Sequence, residues 1–355
     1  MRPMSHRLRF AVTALAAVAI GTACSAATTN NPGTGATPAS GASAGHGIPL
    51  SKSCTGDCVA ALQLQADPKS INCKVGLSWS TTSFSYGADT LTNTKSFFAQ
   101  YLPKMTLYEV EGRNDAATQS GQIDELVGRG IKVLIVSPVN ASAIGPAVDR
   151  AIKAGIKVIA SDRNVLSQGV STYIGADNVD TGVTAGKYAV QVLNGKGNVI
   201  EISGSLGASP TIDRSKGFRD AIAGSPNVKI IASQTGNYDQ ATALKVMQDF
   251  LQKYPKGSFD LLYAHGDQMA LGAIQAIKEA NRQSEIKVVG VDDSGPALAA
   301  IQAGDYAGAA AYPLTYQQHS VAAAKLCAGE SVPSRIKMES ALVTKENAAQ
   351  FLPGW

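Results

Sequence analysis

The feature that most restricts the fold of this chain is an alternation of short β-branched runs with longer amphipathic segments, which starts after Cys73. Alternation of this kind is typical of β-α-β units and predicts parallel sheets covered by helices. The predicted strands are Lys74 to Trp79, Thr106 to Val110, Lys132 to Val136, Lys157 to Ala160, Asn198 to Ile202, Lys229 to Ser233, Leu261 to Ala264 and Lys287 to Val291. The predicted helices include Ala116 to Gly130, Ser142 to Gly155, Thr181 to Leu193, Ala241 to Tyr254 and Met269 to Ala280.

The length of the alternating region favours two doubly wound α/β lobes. Roughly 280 residues exceed the usual size of one domain, which is about 100 to 150 residues. A TIM barrel is the alternative fold, because eight or more β-α units are present. Extended segments near Tyr173 to Asp177, Ala307 to Tyr312 and Ile336 to Val343 interrupt the regular repeat that a barrel needs, as crossings between lobes would. Gly130 and Gly155, which precede strands, are expected to end helices.

The N-terminus has the pattern of a secretory signal. Arg2, Arg7 and Arg9 precede an apolar run from Phe10 to Ile20, and small residues follow before Cys24. The apolar run is too short to span a bilayer, which takes about 20 residues. The first 23 residues are therefore predicted to be a signal peptide.

The residues around the predicted cleavage point, Gly21-Thr22-Ala23-Cys24, resemble the lipobox of bacterial lipoproteins, although Leu is usual where this chain has Gly21. Acylation of Cys24 would anchor the protein to a membrane, and the alternative is ordinary cleavage with free secretion. The residues from Ser25 to Ser51 contain no charged side chain and no large aromatic, so they are predicted to stay flexible. Residues 24–55 are thus predicted to be a lipidated cysteine and a tether.

Four further cysteines suit an exported protein. Cys54, Cys58, Cys73 and Cys327 are an even number, which predicts two disulfides with three possible pairings. A zinc site is disfavoured because Cys54 and Cys58 have no second close pair of ligands. We expect no metal.

The charge of the chain argues against nucleic-acid binding. Removal of Arg2, Arg7 and Arg9 with the leader reduces 31 basic residues to 28, against 27 acidic ones. A nearly neutral chain lacks the basic surface that neutralises phosphates.

Motifs for catalysis and for nucleotide cofactors are also missing. Gly204-Ser205-Leu206-Gly207 has the wrong spacing for the Gly-x-Ser-x-Gly turn of a hydrolase. Gly195-Lys196-Gly197 precedes its strand and so cannot cradle a dinucleotide. Asp162 and Asp292 could be a glycosidase pair, but nothing in the sequence defines their separation. We therefore expect neither a cofactor nor an enzymatic activity.

Polar and aromatic residues follow most of the predicted strands. In open α/β sheets, ligands bind beyond the carboxyl ends of the strands. A mixture of carboxylates, arginines and aromatic rings suits a neutral polyol, because charged groups hold adjacent hydroxyls and rings cover C–H surfaces. A single aspartate in such a place is often only a helix N-cap, which is the alternative for Asp162, Asp267 and Asp292. The strand-end residues are Ser80 to Tyr86, Asn114, Asp115, Ser137 to Asn140, Asp162, Arg163, Ser205 to Arg214, Tyr238, Asp239, His265 to Asp267, Asp292, Asp293 and Tyr312.

Several of these motifs resemble those of the type I periplasmic sugar-binding proteins of ABC transporters. Val158 to Arg163, Ile174 to Asn178 and Val289 to Asp292 are similar to the ribose-binding branch. Gly207 to Phe218 and Tyr263 to Ile274 are similar to the galactofuranose-binding members. The resemblance extends from about residue 72 to 345. It implies two α/β lobes that are joined by three crossing strands and close on a sugar.

The same resemblance implies the lobe boundaries. The N-terminal lobe would comprise residues 72–176 and 313–341, and the C-terminal lobe residues 177–312 and 342–355. The family fold places Cys73 and Cys327 in one lobe, which favours a bond between them and leaves Cys54 and Cys58 to close a small loop. The two other pairings remain possible.

The family's sugar-binding residues correspond to five positions of this chain. Asp162 and Arg163 match the pair that clamps the sugar from the first lobe, and Asp292 matches the acid of the second. Tyr238 matches an aromatic wall, and Tyr86 lies where galactofuranose binders have Trp. The further candidates for ligand binding are Asp267, Ser137, Asp213, Arg214 and Tyr312.

Three positions depart from the family pattern. Gly266 stands where Asn is usual, Ile212 stands where ribose binders have Arg, and Tyr312 replaces a polar residue. These changes remove hydrogen-bonding groups and add aromatic surface, which makes ribose itself a doubtful ligand.

The resemblance implies an extracytoplasmic, monomeric protein, anchored to the cell membrane through Cys24, that delivers a monosaccharide or polyol to an ABC permease and its ATPase. The first alternative is a sensor of the same fold that presents sugar to a membrane receptor or kinase. The second is a secreted carbohydrate-active enzyme. A DNA-binding sugar repressor has the same fold as the two predicted lobes. Such a repressor needs an N-terminal helix-turn-helix, and this chain has the predicted signal peptide in that place.

Overall fold

The structure is a computed structural model, and it describes residues 42–352. The predicted signal peptide, Cys24 and the first part of the predicted tether lie outside the described residues. Within residues 42–352, no helix combines the length and the apolar character that crossing a membrane requires.

The strands and helices of the described residues alternate as the sequence predicts. The strands are β1 (Lys74–Trp79), β2 (Thr106–Glu111), β3 (Val133–Val136), β4 (Lys157–Ser161), β5 (Thr172–Ala176), β6 (Gly197–Ser203), β7 (Val228–Thr235), β8 (Leu261–Ala264), β9 (Lys287–Val291), β10 (Gly308–Ala310), β11 (Arg335–Met338) and β12 (Leu342–Thr344). The helices are α1 (Asp57–Ala61), α2 (Ser85–Tyr101), α3 (Ala116–Gly128), α4 (Gly145–Lys153), α5 (Asn178–Val192), α6 (Ser209–Ile222), α7 (Gln240–Lys253), α8 (Asp267–Glu279), α9 (Gly295–Ala303) and α10 (Tyr316–Cys327), and a 3₁₀ turn spans Ala348–Gln350.

The strands form two separate six-stranded sheets, one in each lobe. The first has the order β11-β5-β4-β3-β1-β2, and the second has the order β12-β10-β9-β8-β6-β7. All neighbouring strands are parallel except β10 and β12, which are antiparallel at the edge of the second sheet. Two open sheets exclude the TIM barrel.

The chain passes between the two sheets three times, after β5, after β10 and after β11. These crossings coincide with the three extended segments that interrupt the repeat in the sequence. The lobe boundaries implied by the resemblance also assign each helix and loop to one of the two lobes. These boundaries stay a prediction.

The central strands are buried on both faces, which explains why their sequences are continuous apolar runs. All four residues of β3 are buried, and five of the six residues of β1 are. A parallel strand covered by helices on both sides has no solvent face and therefore no alternating pattern. Gly130 and Gly155 adopt positive φ angles of 73° and 83° just beyond α3 and α4, so they end these helices as predicted.

The prediction that residues 24–55 form a tether extends too far at its C-terminal end, because part of residues 42–55 packs into the folded protein. Ala44 and Ile48 are 0% exposed, and Leu50 is 3% exposed, because all three pack into the core of the first lobe. The backbone N–H of Glu339, in the crossing after β11, donates to the carbonyl of Ser53 over 2.8 Å. The low average hydrophobicity of residues 24–55 conceals these few apolar side chains, which pack residues 44–50 into the core.

The structure contains the two disulfides that the resemblance favours. Cys54 is bonded to Cys58, and Cys73 is bonded to Cys327. The first closes a small loop around the start of α1. The second joins the residue before β1 to the last residue of α10, so it connects distant parts of the chain within one lobe.

Candidate functional site

A cavity that is partly open to solvent lies between the lobes at the carboxyl ends of the strands, and its empty volume, open solvent included, is about 450 Å³. The lobes touch at its margin, where the Gln268 side chain donates to the Ser85 hydroxyl over 3.2 Å. Small-molecule sites occur preferentially at interfaces between domains, as here. The residues around it are Phe84, Ser85, Tyr86, Asp162, Arg163, Pro210, Arg214, Tyr238, Gly266, Asp267, Gln268, Met269, Asp292 and Tyr312.

Asp162 follows β4 and has an unusual backbone, with a φ of 66°. Its carboxylate accepts hydrogen bonds from the hydroxyls of Ser137 over 3.2 Å and Tyr312 over 3.0 Å. Burial raises the pKa of Asp162, while the nearby positive charges of Arg163 and Arg214 oppose the rise. A left-handed conformation is costly outside glycine, so its occurrence here is typical of a functional position.

Asp292 occupies the corresponding place in the second lobe. It follows β9 with a φ of 86°, and its carboxylate accepts a hydrogen bond from the backbone N–H of Asp267 over 3.3 Å. Burial raises the pKa of Asp292 to about 6, although Arg214, whose Nη1 lies 3.8 Å away, opposes the rise. The charge of the Asp292 carboxylate therefore depends on the balance between its burial and the nearby positive charge of Arg214.

Asp267 is the most buried of the three acids, at 1% exposed. Its Oδ2 atom accepts hydrogen bonds from the backbone N–H of Ser294 over 2.8 Å and from the Ser294 hydroxyl over 2.7 Å. Burial raises the pKa of Asp267 well above its usual value, and the neighbouring charge of Asp292 adds to the rise. None of these three aspartates is a helix N-cap among the described helices, since Asp115, Asp177 and Asp239 are the aspartates that cap their own helices.

Two buried arginines face the acids. Arg163 lies 3.7 Å from the Asp162 carboxylate through Nε. Arg214 donates through Nε to the side chain of Asn178 over 2.9 Å and through Nη1 to the backbone carbonyl of His265. These contacts hold both guanidinium groups in fixed positions, with donors close to the cavity.

Four aromatic rings form the walls. Arg163 lies 5.9 Å from the ring centre of Phe84 and 5.6 Å from that of Tyr238. The rings of Tyr86 and Tyr312 are 5.6 Å apart, and Arg214 stacks 4.3 Å from the centre of Tyr312. The cavity thus combines apolar faces with charged groups, which is the arrangement that a sugar ring needs.

The structure brings eight of the ten predicted ligand-binding residues to the cavity: Tyr86, Asp162, Arg163, Arg214, Tyr238, Asp267, Asp292 and Tyr312. Ser137 lies behind Asp162 and orients its carboxylate.

Asp213 is placed elsewhere, in a separate cavity with Asp177 and Arg335, so we remove it from the candidate site. Ile212 is 58% exposed and does not line the cavity either. Adjacent residues of a helix point about 100° apart, and on α6 this turns Asp213 toward the separate cavity while Arg214 faces the candidate site.

Phe84, Ser85, Pro210, Gln268 and Met269 also line the cavity, although none of them was predicted as an individual wall residue. Phe84 and Pro210 lie in strand-end segments that the sequence analysis collected, and their apolar character was the available signal. Gln268 and Met269 follow Gly266 and Asp267 at the start of α8, and no local pattern distinguishes them from ordinary helix residues.

Comparison with known proteins identifies the family. The model of the periplasmic binding protein domain matches residues 75–328. This chain belongs to the periplasmic binding protein family. The match and the two-sheet architecture confirm the predicted type I fold, and membership of the family implies an extracytoplasmic location.

Three similar proteins illustrate the family. A galactofuranose-binding protein of Escherichia coli is 38% identical over 181 residues, which cover 50% of this chain and 57% of that protein. An ABC transporter solute-binding protein from Mycobacterium smegmatis, solved with bound glycerol, superimposes with a TM-score of 0.74 at 34% identity, over 80% of this chain and 98% of that one. The fructose-binding periplasmic domain of a hybrid two-component system has a TM-score of 0.75 at 28% identity, over 79% and 93%.

The glycine at position 266 supplies a test of the cavity geometry. A Cβ atom at Gly266 would lie 2.9 Å from Oδ2 of Asp292 and 3.3 Å from the ring of Tyr238. Gly266→Ala is therefore expected to displace Asp292 and to weaken the binding of a sugar by about tenfold, which is about 1.4 kcal/mol. The control is Gly224→Ala, where a Cβ would meet nothing within 4 Å. Calorimetry that gives equal affinities for the Gly266 variant and the wild type would contradict the geometry.

Proposed function

We propose that this protein captures a monosaccharide or a related polyol between its lobes and delivers it to an ABC importer. The observation that carries the proposal is a cavity between the lobes in which carboxylates from both lobes, two buried arginines and four aromatic rings converge. Likeness to a galactofuranose-binding protein and to an ABC transporter solute-binding protein supports it.

The proposed binding mode divides the ligand between the lobes. Asp162 and Arg163 hold adjacent hydroxyls from the first lobe, and Asp292 and Arg214 hold others from the second. Carboxylates accept from hydroxyls and guanidinium groups donate to them, so a neutral polyol satisfies both without adding a charge to the buried site. Because groups of both lobes contact one ligand, binding would stabilise the closed arrangement.

We propose that binding is not followed by a reaction. The related proteins whose names are given above are binding proteins, and the arginines, tyrosines and acids of the cavity suffice to hold a polyol. Among residues 42–352, no three His, Cys, Asp or Glu side chains are grouped so that they could hold a metal ion.

We further propose that the mature protein is a monomer that begins at an acylated Cys24. The supporting observations are the lipobox-like residues before Cys24 and the uncharged segment after it. Mass spectrometry of protein extracted from membranes should show a diacylglyceryl cysteine at position 24, and Cys24→Ala should release the protein into the medium. An intact Met1, or cleavage at another residue, would contradict the anchor.

The function is tested in two steps. A thermal-shift screen against pentoses, hexoses, furanoses and polyols identifies a ligand, and calorimetry measures its affinity. Uptake of that radiolabelled sugar is then compared between the wild-type strain, a deletion strain and the complemented strain. Loss of uptake on deletion, with recovery on complementation, is expected. Binding without any effect on uptake would contradict the transport role.

A sensor is the second candidate function, and the similarity to the fructose-binding domain of a two-component system favours it. A sensor would bind the same class of ligand but would pass the signal to a receptor or a kinase. Deletion would then abolish the transcriptional response to the sugar while uptake continues. The uptake measurement therefore separates the two functions.

The raised pKa of Asp292 predicts opposite pH effects on binding and on stability. An ionised carboxylate is the stronger acceptor for hydroxyl groups, so protonation below about pH 6 should weaken binding. We expect the affinity to fall about tenfold between pH 7.5 and pH 5.

The stability of the ligand-free protein should change in the other direction. A carboxyl whose pKa is higher in the folded than in the unfolded state contributes stability at low pH, and the contribution is lost as the pH rises through about 6. The melting temperature without ligand should therefore be higher at pH 5 than at pH 7.5. Asp292→Asn should flatten both profiles, and an affinity that does not change between pH 5 and pH 7.5 would contradict the assignment.

A further inference from the structure

A buried histidine of the first lobe contacts polar side chains through both of its ring nitrogens. His319, on α10, is 0% exposed and does not line the sugar cavity. Its Nε2 atom lies 2.9 Å from the Thr94 hydroxyl on α2, and its Nδ1 atom lies 2.9 Å from the Ser161 hydroxyl at the end of β4. Burial lowers the pKa of His319 to about 3, so the imidazole is uncharged at neutral pH. One nitrogen therefore donates, and the other accepts.

The contact with Thr94 decides which nitrogen carries the hydrogen. The Thr94 hydroxyl also lies 2.6 Å from the backbone carbonyl of Thr90. A carbonyl oxygen can only accept, so the single hydrogen of the Thr94 hydroxyl goes to it. Thr94 must then accept from Nε2–H of His319. The Nδ1 atom of His319 is left as the acceptor, and the Ser161 hydroxyl donates to it.

The hydrogen bonds continue from Ser161 to the wall of the cavity. Because the Ser161 hydrogen is directed at His319, the Thr315 hydroxyl is the donor in its 2.9 Å hydrogen bond with the Ser161 oxygen. The Tyr86 hydroxyl makes a side-chain hydrogen bond with Thr315 and also donates to the carbonyl of Pro313 over 3.2 Å. Tyr86 lines the cavity, so a chain of buried hydrogen bonds connects His319 to one of its aromatic walls.

The same chain reaches the acid of the first lobe, because Ser161 directly precedes Asp162. The φ of 66° at Asp162 is a costly conformation that persists only where the surrounding contacts impose it. The Tyr173 hydroxyl donates to the Asp162 carbonyl over 2.9 Å, and the Asp162 N–H donates to the Ile174 carbonyl over 2.9 Å. The side-chain hydrogen bonds of Ser161 fix the residue at which the backbone turns into this conformation.

We propose that His319 is a positioning residue for the sugar site, which acts by accepting the hydrogen of Ser161. This inference rests on the proposed function. Through Ser161 it fixes the backbone before Asp162, and through Thr315 it fixes the ring of Tyr86. All of these groups except Thr315 belong to β4, α2 and α10, so the first-lobe half of the site is held in place before a ligand arrives. A site that is already in its binding geometry loses less free energy to ordering when it binds.

Two substitutions separate the roles of the two nitrogens. His319→Asn puts an amide oxygen near the position of Nδ1, so it keeps an acceptor for Ser161 and loses the donor to Thr94. His319→Gln puts its amide one bond further out, near the position of Nε2, so it keeps the donor and leaves the buried Ser161 hydroxyl without its acceptor. Asn leaves the larger gap, so a purely structural role of His319 predicts that Asn is the more harmful residue. The proposal predicts the opposite order.

The affinity is measured by calorimetry with the sugar that the thermal-shift screen selects. His319→Gln should weaken binding about tenfold, and His319→Asn should stay within about threefold of the wild type. The melting temperature should fall in both variants, and further in His319→Asn.

Two smaller changes test the same chain of hydrogen bonds without altering the histidine. Ser161→Ala and Thr315→Val each remove one hydroxyl, and each should weaken binding about tenfold. Thr172→Val is the matched control, because Thr172 is also 0% exposed but lies at the start of β5, at the opposite end of the sheet from the cavity. Its affinity should equal that of the wild type. Ser161→Ala carries the test if His319→Gln does not fold.

Two measurements on the ligand-free protein need no sugar. Nitrogen–proton NMR spectra should show the hydrogen of His319 on Nε2, with the His319→Gln spectrum identifying its signals by their absence. The crystal structure of His319→Gln should show the Asp162 carboxylate displaced from the hydroxyls of Ser137 and Tyr312.

The outcomes separate this inference from the proposed function. Equal affinities for His319→Gln and the wild type, a weaker affinity for His319→Asn than for His319→Gln, or a hydrogen on Nδ1 would each overturn the positioning role. If the wild type binds none of the sugars and polyols of the screen, the proposed function fails. The crystal structure of His319→Gln then decides the positioning role, and unchanged side chains of Asp162 and Tyr86 would overturn it.

Discussion

Replacement of Asp292 by alanine should weaken sugar binding by about 30-fold to 1000-fold, which corresponds to about 2 to 4 kcal/mol. The loss leaves buried hydroxyls of the ligand without their acceptor. It also removes the carboxylate that lies 3.8 Å from Nη1 of Arg214, so a buried positive charge loses a compensating partner. The affinity is measured by calorimetry with the sugar that the screen identifies.

The same substitution should hardly affect folding. Burial already raises the pKa of Asp292 to about 6, so its removal relieves an unfavourable buried charge in the empty protein. The melting temperature of the ligand-free variant is expected to change little, because relief of the buried carboxylate and loss of the partner of Arg214 act in opposite directions. Asp305→Ala is the matched control. Asp305 lies in the same lobe as Asp292, but it pairs with Lys278 at the surface.

Two further variants locate the site if the first result is negative. Asp162→Ala and Arg163→Ala remove the groups that the first lobe supplies, and each should weaken binding tenfold or more. Equal affinities for Asp292→Ala and the wild type would remove Asp292 from the site. Unchanged affinities in all three variants would refute the whole cleft assignment.

Removal of the disulfide between Cys73 and Cys327 should cost about 5 kcal/mol of stability. The two cysteines are 254 residues apart, and a bond that closes a long loop removes much conformational entropy from the unfolded chain. The double variant Cys73→Ala/Cys327→Ala is expected to melt roughly 8 °C below the wild type. Differential scanning calorimetry without reductant measures the change.

The second disulfide supplies the matched comparison. Cys54 and Cys58 are only four residues apart, so the double variant Cys54→Ala/Cys58→Ala should lose about 2 kcal/mol. Both variants lose two buried or half-buried sulfur atoms, and they differ chiefly in the loop that each bond closes. An equal decrease in melting temperature for both would contradict the entropic argument.

Much of the fold follows from the sequence because its signal is local. β1, β8 and β9 begin and end at the residues that the apolar runs predict, since strands buried on both faces need continuous apolar side chains. The acids at the ends of β4 and β9 follow from the same logic, because the carboxyl ends of parallel strands meet at one edge of the sheet. The family resemblance added which lobe each acid belongs to.

Other features depend on contacts between residues that are distant in sequence. Ala44 and Ile48 are buried because the first lobe offers them a surface, and no pattern within residues 42–55 shows that surface. The raised pKa of Asp292 likewise results from its burial, which depends on packing between elements that are distant in sequence.

The sequence by itself determined two parallel α/β lobes, the edge at which a ligand binds and the residue types that would hold it. The tertiary structure decided which of those residues share one cavity. Arg214 lines it, whereas Asp213, its neighbour on α6, does not. The reason is that strand patterns depend on nearest neighbours along the chain, whereas the direction of a helix face and the meeting of two lobes depend on packing between elements.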